Sequence, residues 1–164
     1  MLSEKMWNAL NEQIKWEFES SYLYLGMAAW LNDNAYPGFA HWMREQAKEE
    51  QGHAMKIYGY VEERGNRVEL LPIAAPKKTW ESPHEVIEQS LKHEEMVTGL
   101  INRLVDLSQE EKDHATFAFL QWFVKEQVEE EDTFRKVLDE LKLVKPTCSA
   151  MLFIDRHMGK RSGD

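Results

Sequence analysis

Four long stretches of this chain each carry a stripe of mostly apolar residues spaced three and four apart, the mark of a helix with one buried face. The first stripe reads Leu10, Ile14, Glu17, Ser21, Tyr24, Ala28, Leu31, and the second Phe39, Met43, Gln46, Glu50, His53, Ile57, Tyr60. The third reads Ile87, Leu91, Glu94, Thr98, Ile101, Val105, and the fourth Leu120, Phe123, Gln127, Glu130, Phe134, Val137, Leu141. Capping chemistry sets their limits. Ser3 before Glu4 is an N-cap, and Asn32-Asp33-Asn34 stops the first helix. Pro37-Gly38 opens the second, which ends at Gly65-Asn66. Ser82 and Glu85 are spaced as a capping box around Pro83, a break falls within 108–114, and the fourth helix runs to about Lys142. Pro146-Thr147 starts a last short segment, Ser149 to Met158.

Four helices of roughly 28 residues are each about 42 Å long, the proportion of an all-α four-helix bundle. The chain is read as one domain over 1–164, with the bundle over about 3–143 and a short C-terminal helix over about 147–158. Short connections make each pair of helices antiparallel. The connection 66–82, held extended by Pro72 and Pro76, can span up to about 55 Å, so it crosses the full bundle and leaves the second and third helices parallel.

The interruptions of the stripes carry the chemistry. Glu17, then Glu50 with His53, then Glu94, then Gln127 with Glu130 each fall near a helix midpoint, so all converge at one level of the core. Glu50 and His53 lie one turn apart and can grip one cation together. No stripe offers a Lys or Arg to offset the four carboxylates, and an uncompensated buried charge costs several kcal/mol. They are therefore protonated or matched by cations. Two divalent ions balance four carboxylates, and oxygen donors with one imidazole suit iron or manganese and also admit zinc. A dinuclear site with Glu50 and Glu94 bridging is expected.

With Glu17, Glu50-Gln51-Gly52-His53, Glu94 and Glu126-Gln127-Val128-Glu129-Glu130, the chain resembles a ferritin of the prokaryotic non-haem type over essentially its whole length. The resemblance implies a ferritin-like bundle with a short fifth helix and a ferroxidase centre. One iron is held by Glu17, Glu50 and His53, the other by Glu50, Glu94, Gln127 and Glu130. It implies that Tyr24 hydrogen-bonds within the site, and that Glu49, Glu126 and Glu129 with Glu130 form a third iron position. The stripes alone place Glu49, Glu126 and Glu129 on solvated surface. The resemblance further implies storage of ferric mineral in a shell of 24 subunits, with Met151-Leu152-Phe153-Ile154 packing on a neighbour at the four-fold axis. Where related families repeat Glu-x-x-His, this chain has Gln127-x-x-Glu130, so the second metal is expected to be held more weakly. Gly52 stands where a bacterioferritin carries its haem-ligating Met, so no haem is expected.

The balance of 20 basic against 29 acidic residues points to cations as partners, and away from nucleic acid and anionic membranes. The single Cys148, the absence of a long apolar run and the start directly in helical pattern point to the cytoplasm. The substrates expected are Fe(II) with dioxygen or hydrogen peroxide. A small di-iron oxidoreductase and a metal-holding bundle without turnover are the competing readings. Trp122 is read as core packing, the alternative being that it supplies an extra electron, as Tyr24 also could.

Overall fold

The computed structural model describes residues 1–143 and 148–161. It contains α1 (Glu4–Asp33), α2 (Pro37–Glu63), α3 (Pro83–Glu110), α4 (His114–Leu143) and α5 (Cys148–Met158), with no strand among the described residues. Pro146 and Thr147 lie outside the described residues, as does the side chain of Cys148.

The helix starts are built as the sequence suggests, with one difference. Ser3 Oγ accepts from Met6 N at 3.0 Å, and Ser82 Oγ from Glu85 N at 3.2 Å. The Glu85 carboxylate accepts from Glu81 N at 2.6 Å rather than from Ser82 N, so the box is not reciprocal. A Lys77 ammonium 2.6 Å away draws the carboxylate toward the preceding loop. The first three helices end alike. A residue in the left-handed region follows each, Ala35 at φ 64, Gly65 at φ 75 and Lys112 at φ 56. The next amide reaches back to a carbonyl of the last turn: Tyr36 to Leu31, Asn66 to Val61 and Asp113 to Ser108. Only Gly65 advertises this conformation in the sequence.

Cross-helix contacts fix the topology. Ser20 meets His93 and Met27 meets Ser90, so α1 and α3 are antiparallel. Ser21 Oγ donates to Ala47 O at 2.7 Å in the α1–α2 pair, and Gln127 reaches Glu94 in the α3–α4 pair. The connection between α2 and α3 runs along α1 from end to end. Leu2 N donates to Asn66 Oδ1, Trp7 Nε1 to Arg67 O, Glu69 N to Asn11 Oδ1 and Ala74 N to Glu19 Oε2. Trp80 then packs edge-on against Trp30 at 6.0 Å. The strap thus spans the bundle, and α2 and α3 are parallel.

The core is two apolar clusters with a polar layer between them. One gathers Met27, Phe39, Met43, Ile87 and Phe134, the other Leu10, Ile14, Ile57, Ile101 and Phe123. Stripes one, two and four are buried as read, except that Ser21 is half-buried. The third is displaced by one residue. Ser90, Val97 and Leu104 are buried with Ile87, Glu94 and Ile101, while Leu91, Thr98 and Val105 are half-buried.

The apolar face of α5 divides. Ile154 and Met158 are buried against the bundle, whereas Leu152 and Phe153 are exposed. Asp155 caps α2, accepting from Phe39 N at 3.0 Å, which satisfies a free amide where the helix dipole favours negative charge. The approach is close enough that a Cβ on Gly38 would sit 1.7 Å from the Asp155 carbonyl oxygen. Gly38→Ala is therefore expected to push α5 off α2 and leave the bundle folded. Hydrogen exchange at the Phe39 amide should quicken at least tenfold in the variant, and an unchanged rate would show that the contact does not hold α5.

Candidate metal centre

α1 supplies Glu17, α2 Glu50 and His53, α3 Glu94, and α4 Gln127 and Glu130, all in the layer between the apolar clusters and all buried. His53 Nδ1 lies 3.3 Å from Glu50 Oε2 and 4.0 Å from Glu17 Oε2. These three offer one donor atom each within 4.8 Å of one another, and His53, Glu126 and Glu130 form a second such group. On its far side His53 Nε2 faces Glu126 at 3.8 Å.

Amides and a phenol orient the carboxylates. Gln13 Nε2 donates to Glu17 Oε1 at 2.8 Å, and Gln46 Nε2 to Glu130 Oε2 at 2.8 Å. The Tyr24 hydroxyl donates a very short hydrogen bond to Glu94 Oε1, and Gln127 Nε2 donates to Glu94 Oε2 at 3.1 Å. Gln127 thus acts on Glu94 as a donor in this arrangement. Glu17 Oε2 and Glu50 Oε1 are buried and take no hydrogen bond from any other residue, and the two carboxyls are near enough to share a proton, which leaves a pair of adjacent carboxyl oxygens beside an imidazole with only that proton between them. That donor chemistry fits a divalent cation.

The electrostatics agree. Burial raises Glu17 to about 7, with Gln13 opposing, and Glu94 to about 6, with Tyr24 and Gln127 opposing. Glu130 is pushed up to about 8 by burial and then by the Glu94 charge, and Glu50 lies well above the usual range through burial and the charges of Glu94 and Glu17. His53 is lowered to about 4, chiefly by burial and secondarily by Lys56, so it is neutral at pH 7 with a lone pair to give. Burial and the Glu94 charge also raise Tyr24, which stays a hydrogen-bond donor.

The residues of the expected third position are placed unevenly. Glu126 is half-buried beside His53. Glu49 is half-buried and held by Arg161, and Glu129 is exposed with Lys125 at 3.6 Å. Trp122 is 37 % exposed rather than core, its ring edge-on to His53 at 5.4 Å with Lys56 4.0 Å over its face. The sequence reading missed Gln13, and it took Gln46 only as part of a stripe. Gln13 stands four residues before Glu17, a spacing at which an amide and a carboxylate meet on a helix. Ser20 and His93 also went unread; they are 2.7 Å apart beside Tyr24.

A carboxyl whose folded pKa is raised binds its proton more tightly in the folded state. The stability these groups lend is full below 4.5 and is lost as pH rises through the window up to about 8. Metal-free protein is expected to melt at lower temperature near pH 8 than near pH 5, and a saturating divalent cation to reverse the loss at the higher pH. Glu17→Gln and Glu130→Gln should each flatten the difference. Melting curves with the same pH dependence in both variants would take these carboxyls out of the account.

The pattern of the ferritin-like domain matches residues 7–144. The bacterial non-heme ferritin of Staphylococcus haemolyticus is 39% identical over 164 residues, covering 100% of this chain and 99% of the relative. That of Bacteroides fragilis is 42% identical over 161 residues, covering 98% and 100%. Among solved structures, an open pore ferritin from the hyperthermophilic archaeon Archaeoglobus fulgidus superposes with a TM-score of 0.97 at 44% identity, covering 99% of this chain and 100% of that one. An engineered closed form of the same ferritin gives 0.98 at 43% identity, covering 100% of both. With five helices in that arrangement and full-length identity at this level, the chain belongs to the ferritin family, among its bacterial non-haem members.

Proposed function

We propose that this protein stores iron, oxidising Fe(II) to Fe(III) at the buried carboxylate cluster and holding the ferric product as mineral inside a shell of 24 copies. The whole chain, 1–164, acts as one unit in the cytoplasm. The observation that carries the reading is the pair of oxygens on Glu17 and Glu50 that no other residue satisfies, beside neutral His53, within a cluster that has no other counter-charge in its stripes.

Fe(II) is the substrate. Glu17, Glu50 and His53 take the first ion, and Glu50, Glu94, Gln127 and Glu130 the second, with Glu50 and Glu94 each presenting two oxygens. Because burial raises these carboxyls, they give up protons as the ions bind, so loading is favoured as pH rises. Two adjacent ions can each release one electron to a single oxidant: two Fe(II), dioxygen and two protons give two Fe(III) and hydrogen peroxide. With hydrogen peroxide as oxidant, two Fe(II) and two protons give two Fe(III) and two waters. Pairing the electrons avoids releasing a one-electron reduced oxygen species. The buried negative charge favours the ferric ions. Tyr24 holds Glu94 in place. With His53 Nδ1 turned to Glu17 and Glu50, the ligand set of Glu50, Glu94, Gln127 and Glu130 includes no imidazole, so it holds iron less tightly and releases product toward the interior of the shell. Glu49, Glu126 and Glu129 offer a third, weaker position.

The shell reading draws on α5, whose Leu152 and Phe153 are exposed on the face not used by the bundle. Aerobic titration of the purified protein with ferrous iron, followed by absorbance of the ferric product, tests both parts. Rapid oxidation of about two irons per chain is expected, with particle mass near 24 chains and continued loading to hundreds of irons. A Glu50→Ala, Glu130→Ala double variant should oxidise iron at least tenfold more slowly. Oxidation no faster than in buffer would defeat the ferroxidase reading, and a small particle would leave a di-iron oxidoreductase instead.

A further inference from the structure

Arg161, just beyond the end of α5, is the only cationic side chain among the described residues seen to hydrogen-bond to Glu49 or Gln46. Its Nη2 donates to both oxygens of Glu49, at 2.7 and 2.6 Å, and its Nη1 makes a very short hydrogen bond to Gln46 Oε1. The guanidinium lies 4.8 Å over the Trp42 ring, and the Arg161 carbonyl oxygen is 2.8 Å from His41 Nε2. The side chain is only 21% exposed, so this is a packed contact rather than a loose surface pair.

The Gln46 amide passes the contact inward. A primary amide has a donor end and an acceptor end. With Oε1 turned to Arg161, Nε2 must face Glu130 Oε2, where it donates at 2.8 Å. Without the guanidinium the Oε1 end loses its donor, and the amide is fixed only by its one contact to Glu130.

We propose that Arg161 is a positioning residue that closes the outer side of the cluster, locking Glu49 with its guanidinium and setting the orientation of Glu130 through Gln46. A cation and Arg161 compete for the same oxygens of Glu49, so the outer position opens only when the end of α5 lets go. Because Asp155 caps α2 and Ile154 and Met158 pack on the bundle, whatever displaces α5 also withdraws Arg161. The docking of the last helix therefore sets how many cations the cluster takes. The inference rests on the iron reading above.

Anaerobic titration with cobalt(II), read by its ligand-field absorption and by calorimetry, separates the two. The wild-type shell is expected to bind two cobalt ions per chain tightly. Arg161→Gln should add a third, or tighten the weakest site at least tenfold. Arg161→Lys keeps the charge without the two-pronged grip, and should tighten that site at least threefold. Adding Glu49→Gln to Arg161→Gln should remove the gain. Two ions in the wild type with no gain in either Arg161 variant would overturn the role of Arg161 and leave the dinuclear reading standing. A wild-type protein that binds no cobalt at the cluster would overturn both. Particle mass and melting temperature establish that each variant is assembled, and the lysine variant alone decides the matter if the glutamine variant is not.

Discussion

Everything in this bundle is arranged around the burial of four carboxylates, Glu17, Glu50, Glu94 and Glu130, between two apolar halves of one core. Moving a carboxylate into such a place costs several kcal/mol even after relaxation, against a domain stability of roughly 5–15 kcal/mol. The raised pKa values describe how the metal-free chain meets that cost, by keeping protons. A divalent cation removes the need for them. Proton and metal are thus alternative occupants of the same charges, which ties cation binding to stability and to pH.

The hydrogen bonds around the cluster follow from the same constraint. Gln13 holds one oxygen of Glu17 and leaves the other bare, while Gln46 holds one oxygen of Glu130. Glu94 is held at both oxygens, by Tyr24 and Gln127. The two sides of the site therefore differ. Around Glu17, Glu50 and His53 two oxygens have no amide or phenol donor, so an ion there displaces only a proton. Around Glu94 and Gln127 an ion has to displace an existing hydrogen bond. Weaker holding on that side thus has a second cause besides a ligand set without an imidazole.

Much of this was legible because helical periodicity is a strong signal in long segments. Polar residues that interrupt a stripe at matching depth have one place to go. The third stripe was displaced because α3 packs against both α1 and α4, so its buried arc is wide. Two neighbouring rows, Ser90-Val97-Leu104 and Leu91-Thr98-Val105, then share it, and apolar character alone does not rank them. Trp122 was misplaced for the opposite reason. It neighbours a core residue, Phe123, yet its ring stands edge-on to His53 with Lys56 over its face and stays partly in water. The left-handed endings at Ala35 and Lys112 were silent because neither residue type signals that conformation.

Arg161 was illegible for a more general reason. Periodicity reports what one helix buries, while a contact between a chain end and a helix more than a hundred residues away has no period. In the sequence it belongs to a polar tail after Gly159. In the fold, Gly38 lets α5 approach α2, and Asp155 anchors the approach. The direction of α5 then brings the guanidinium onto Glu49 and Gln46. Each step is set by a short-range steric or hydrogen-bonding requirement that says little by itself. A cluster that lacks basic residues in its own stripes meets a packed guanidinium through tertiary structure, and that is where charge balance stops being local in the chain.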